Sequence, residues 1–119
     1  MNKAATEFVG YWSLPEQERD GRGLLLTDLV TTNPSEAIRV MDEIVATTDD
    51  RVILSVLGAG ALEDLLASPE AKTYLDDITE RARKYAGWRY AFCCMHTMGF
   101  ADAEVRAICD ARIASYGRS

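Results

Sequence analysis

Gly58-Ala59-Gly60-Ala61-Leu62-Glu63-Asp64-Leu65-Leu66 decides how this chain folds. Glycine reaches backbone angles that other residues avoid, so Gly58 or Gly60 can end one helix, and Gly60 can cap the next. Glu63 and Asp64 then fall in a first turn, where the helix dipole favours negative charge. Leu62, Leu65 and Leu66 recur at i, i+3 and i+4, which is one helical face. The stretch therefore predicts a tight helix-to-helix corner.

Outward from it, the helical period continues in both directions. Upstream, Ala37, Ile38, Met41, Ile44 and Val45 share a face of a helix over residues 35–47, entered through Asn33-Pro34. Asp49 or Asp50 caps a second helix with Val52, Ile53, Val56 and Leu57 facing a core. Residues 3–13 carry Phe8, Val9, Tyr11 and Trp12 as apolar anchors. Pro15 to Gly23 reads as a loop. Leu24 to Val30 is a short apolar run whose period does not separate helix from strand; with no partner strand in the chain, helix is the better assignment. Downstream, Ser68-Pro69-Glu70 opens a helix to about Tyr85, burying Tyr74, Leu75, Ile78 and Ala82. Trp88 to Met98 is predicted to be the most buried helix. Asp102 caps a last one with Val105, Ile108, Cys109 and Ile113 inward, before a frayed Gly117-Arg118-Ser119 tail. The expected fold is a single all-α domain over 1–119, a compact bundle of about five to seven short helices. Successive helix pairs hint at a solenoid-like stack, although no sequence period supports it.

The Gly-Ala-Gly-x-Leu-Glu-Asp-Leu-Leu run resembles the hallmark of an uncharacterised bacterial helical domain family. Its members often read Gly-Ala-Gly-Pro-Leu-Glu-Asp-Leu-Leu, where this chain has Ala61 for the proline. The resemblance covers roughly residues 35–98. It includes a following acidic helix, here Tyr74 to Glu80, and a Trp-Arg segment opening another helix, here Gly87-Trp88-Arg89. It implies a helical fold and transfers no activity.

The 119 residues carry a net charge of −6, unevenly spread. Residues 1–80 hold 6 Lys/Arg and 16 Asp/Glu, whereas residues 81–119 hold 7 Lys/Arg and 3 Asp/Glu. An acidic body disfavours nucleic acid, whose phosphates need clustered Lys and Arg, and suits a basic protein partner. No apolar run approaches a membrane span, and the N-terminal residues lack a signal peptide's apolar core. Three cysteines, two of them adjacent, do not form a disulfide framework, so a reducing cytoplasm is expected.

Few residues invite chemistry. Cys93, Cys94, His96 and Cys109 are the only soft ligands, and adjacent cysteines diverge by about 100° on a helix, against the spacing structural zinc wants. Cys93 lies at i−3 from His96, within reach for a nucleophile and base, but no third group or oxyanion donor accompanies them. Gly58-Ala59-Gly60 lacks the lysine of a phosphate loop. No cofactor or metal is expected. Met98-Gly99-Phe100 and the helix after it resemble the corner of ubiquitin-binding three-helix domains, where that loop contacts ubiquitin; the rest of such a domain does not follow.

The partner-binding candidates are thus Glu63, Asp64, Asp76, Asp77 and Glu80. A second set is structural: Gly58, Gly60, Glu63, Trp88 and Arg89, in which Arg89 pairs with Glu63 or Asp64 and locks the glycine corner. The leading functional expectation is a non-catalytic protein-binding module, an immunity- or antitoxin-like neutraliser or regulator. The alternatives are an adaptor homo-oligomer with Trp12 or Trp88 at its interface, and a cryptic enzyme using Glu63, Asp64 or His96.

Overall fold

A computed structural model describes residues 2–117, and the expected helices are in place. Among the described residues the elements run α1 (Lys3–Trp12), a short 3-10 turn (Glu16–Glu18), α2 (Leu25–Thr32) and α3 (Pro34–Thr47). Next comes α4, in two halves (Arg51–Leu57 and Glu63–Ala67) around a wide turn (Gly58–Leu62). It is followed by α5 (Ala71–Lys84), α6 (Ala86–Cys93) and α7 (Ala103–Tyr116). The all-α assignment holds, and the Leu24–Val30 run is helical. No described helix is long and apolar enough to cross a membrane.

Short polar side chains set the helix starts. The Asn2 carboxamide accepts from the Ala4 amide, and Asn33 from Glu36 ahead of Pro34. Asp50 accepts from Val52 and Ile53, and Asp102 from Glu104 and Val105. Each bond satisfies an amide that the first helical turn leaves without a partner. Gly117, at φ 77°, ends α7 in a conformation glycine adopts without strain; Arg118 and Ser119 lie outside the described residues.

The glycine corner is not a corner. Leu57, Gly58, Leu62 and Glu63 all keep right-handed helical angles, and the Glu63 amide donates to the Gly58 carbonyl five residues back. The helix therefore runs on through one wide, π-type turn, and Gly60 caps nothing. Gly58 serves another end. A Cβ there would lie 1.9 Å from the Ala91 carbonyl oxygen, so its hydrogen lets the α6 backbone press directly onto α4. Gly87, on α6 itself, makes room for a side chain of α3: a Cβ there would lie 2.7 Å from a Val45 methyl.

Helix α6 packs against α3, α4, α5 and α7, with Trp88, Ala91 and Phe92 buried among them. One short helix touching both halves of the chain makes a bundle around a centre, not a stack in which each pair meets only its neighbours. The apolar stretch at 88–98 stays helical only to Cys93. Met95 remains buried, but Met98 is 83% exposed at the tip of the α6–α7 loop. Val52 is 58% exposed, since it falls on the outer side of α4. Ser68 and Pro69 form a turn, the Ser68 hydroxyl donating to the Leu65 carbonyl, and α5 begins at Ala71.

Candidate functional site

A groove of about 710 Å³ lies between α3, the last two turns of α5 and the α5–α6 joint. Its position follows from Tyr85, whose extended backbone (φ −118°, ψ 124°) breaks the helix while its amide closes α5 on the Arg81 carbonyl at 2.8 Å. The break turns α6 away from α5 and leaves Tyr85 55% exposed on the lip. Asp77, Glu80, Arg81 and Lys84 line one wall because i, i+3, i+4 and i+7 share a helical face. Asp42, Val45 and Ala46 of α3 line the other.

A three-way clamp holds the walls together. Arg81 donates from Nε to Asp42 Oδ1 at 2.9 Å and from Nη2 to Oδ2 at 3.0 Å, a forked pair. The indole Nε1 of Trp88 donates to the same Oδ1 at 2.9 Å. Trp88 is 1% exposed, so this carboxylate satisfies a polar tip that packing has removed from water. The Arg81 guanidinium lies 5.8 Å from the Trp88 ring centroid, and its hydrogen bond to Asp42 raises its pKa further. Arg81 Nη1 also donates to the Asp77 backbone carbonyl at 3.3 Å.

The predicted site residues are dispersed. Asp76, Asp77 and Glu80 are exposed on α5, and two of them, Asp77 and Glu80, face the groove. Glu80 is already engaged by Arg83 and Lys84, and the Arg83 hydrogen bond holds its carboxyl down at about 2. Asp64 is exposed, with a pKa raised by partial burial and by the neighbouring Glu63 charge.

Arg89 does not lock onto Glu63 or Asp64. Its Nε donates to the Ala82 carbonyl at 3.1 Å and its Nη2 to the Arg83 carbonyl at 2.8 Å. It also lies 5.6 Å from the Tyr116 ring centroid. These carbonyls belong to the last turn of α5, which has no amides of its own to offer them, so a nearby guanidinium is the natural donor. Glu63 instead accepts from the His96 backbone amide and lies 3.4 Å from His96 Nδ1, tying the α6–α7 loop to α4. Of the expected lock, Trp88 alone belongs to a clamp, and its partners are Asp42 and Arg81. Asp42 was legible only indirectly. It borders the apolar face of α3, and a buried indole N–H demands an acceptor.

The aromatic candidates for an interface are covered. Trp88 is interior, and Trp12 is half-buried beneath Arg19, whose guanidinium sits 5.0 Å from its ring centroid. Cys93, Cys94 and His96 border a separate depression of about 370 Å³ with Ser55, Val56 and Ala59. No group of three His, Cys, Asp or Glu side chains converges to hold a metal among the described residues. In the loop resembling the ubiquitin-binding corner, Met98 is exposed but Phe100 is buried.

Comparison with known protein families, curated proteins and solved structures found no match.

Cys109 is inert by placement. Burial, with the nearby Asp110 charge, pushes its thiol up to about 12. Raising the pKa favours the neutral thiol in the fold, so its contribution is intact below the ordinary value of 9.0 and is lost as pH climbs toward 12. A thiolate-selective reagent at pH 8 should modify the half-buried Cys93 and Cys94 and spare Cys109 until denaturant is added. Equal labelling rates at all three cysteines in the native protein would contradict this placement.

Proposed function

We propose that the protein is a non-catalytic binding module for another protein, an immunity- or antitoxin-like neutraliser of a basic bacterial partner. The groove is the observation that carries this reading. It is open, it exposes an aromatic ring beside carboxylates, and its Asp42 and Arg81 are spent on one another in a structural clamp. Aromatic side chains at a rim of mixed polarity suit a protein surface. The net charge of −6 favours fast association with a basic partner. His96, the one histidine of the chain, lies outside the groove. Three cysteines, two of them adjacent in sequence, fit a reducing cytoplasm.

The test is affinity capture of a tagged copy from its native host. A stoichiometric basic protein, toxic when expressed alone, is the expected result. Recovery of this chain alone, at a defined oligomeric mass, would replace the neutraliser with a self-assembling adaptor.

A further inference from the structure

We propose that the groove between α3 and α5 receives a short extended segment of a basic protein partner. The segment places an arginine or lysine head at Asp77 and an apolar side chain against Tyr85. This deepens the protein-binding reading and rests on it.

The charges of the groove point to a cation. Two of its lining groups are positive, and both are engaged by carboxylates of the same walls. Arg81 is forked onto Asp42, and Lys84 lies 3.5 Å from Glu80. Glu80 is further neutralised by Arg83. Asp77 is the lining carboxylate that no cation approaches within 4 Å among the described residues. The Arg81 guanidinium is near enough for Asp77 to raise its pKa, but its hydrogen-bonding fork is committed elsewhere. An arriving cation would therefore meet one unspent negative charge in an acidic half of the chain, and an arriving anion would meet no unspent positive one.

The geometry sets the spacing. Asp77 and Tyr85 are eight residues apart along α5 and its end, a rise of about 12 Å. An extended segment covers that distance in about four residues, and residues four apart in a strand project to the same side. The Tyr85 end of the groove is apolar, floored by Val45, Ala46, Ala86 and Gly87. The segment that fits is thus basic at one position and apolar four residues away.

The experiment uses the acetylated, amidated pentapeptide Arg-Ala-Ser-Ala-Leu, with Glu-Ala-Ser-Ala-Leu as control, titrated into isotope-labelled full-length protein. The Trp88 indole N–H, which reports on Asp42, and the Gly87 amide should shift with the basic peptide and not with the acidic one. The exposed substitution Asp77→Asn should weaken binding at least about fivefold. Equal binding of both peptides, shifts centred elsewhere, or no loss in Asp77→Asn would overturn the proposal. The two readings fail separately. A captured partner retained undiminished by an Asp77→Asn, Tyr85→Ala double variant overturns the groove while leaving the binding module. Peptide binding in the groove with no partner captured supports the groove and removes the neutraliser.

Discussion

Replacing Gly58 with alanine is expected to cost the fold at least about 3 kcal/mol, at the upper end of what overpacking does. The new Cβ would meet the Ala91 oxygen at 1.9 Å, its carbon at 2.7 Å and its Cα at 3.0 Å, all backbone atoms with no rotamer to escape into. The Ala91 carbonyl also accepts the Cys94 amide at 3.0 Å, so moving it loosens the end of α6. In a domain of this size such a loss lowers the melting temperature by more than about 10 °C. Gly60→Ala is the matched control. Nothing lies within 4 Å of its Cβ position, and its φ is not positive. Alanine in helical backbone there should stabilise by about 0.5–1 kcal/mol through its better propensity. Two glycines two residues apart are thus expected to respond with opposite signs in one calorimetric series. Equal responses would refute the direct contact between α4 and α6.

The second large effect is expected at Asp42. Its carboxylate accepts two bonds from Arg81 and one from the indole of the buried Trp88. Removing an acceptor from a buried donor costs about 1–3 kcal/mol. The Arg81 contribution must be discounted, because the two side chains are 26% and 39% exposed. Asp42→Ala should therefore lose roughly 2–3 kcal/mol in urea unfolding, seen as a lower midpoint with an unchanged slope. Asp42→Asn keeps an acceptor for the indole and should lose less. Exposed Asp76→Ala provides the baseline. An Asp42→Ala midpoint no lower than that baseline would show the clamp to be decorative.

What the sequence made legible was governed by local rules. The caps at Asp50 and Asp102, the apolar face of α3 and the helical nature of the Leu24 run all follow from short-range chemistry. What it hid was long-range. Gly58 was read as a turn residue because glycine's backbone freedom is visible in sequence, whereas its closeness to Ala91, 33 residues on, is not. Arg89 was paired with Glu63 or Asp64 because opposite charges attract on paper. Yet backbone carbonyls at a helix end compete for the same guanidinium, and only the packing of α5 on α6 brings them to it. The groove was half visible. Asp77 and Glu80 stood out as acidic residues on one helix, but Tyr85 passed unremarked as the end of that helix, and Asp42 lay hidden on a helix read only for its apolar face.

The wide turn in α4 solves a problem of angular phase. The inward residues of that helix come in pairs four apart: Ile53 and Leu54, Leu57 and Gly58, Ala61 and Leu62, Leu65 and Leu66. An ordinary α-helix turns about 400° in four residues, so each pair would drift by about 40° and the last would stand about 120° from the first. Hydrogen bonds reaching back five residues unwind the helix locally and cancel much of that drift, so all four pairs face one core. Deleting a single residue between Gly58 and Leu62 would let the helix return to ordinary α geometry, with inward pairs spaced four, three and four residues apart and Leu65 and Leu66 about 20° from the first pair. The wide turn thus carries one residue more than an ordinary helix would need to keep the same face inward.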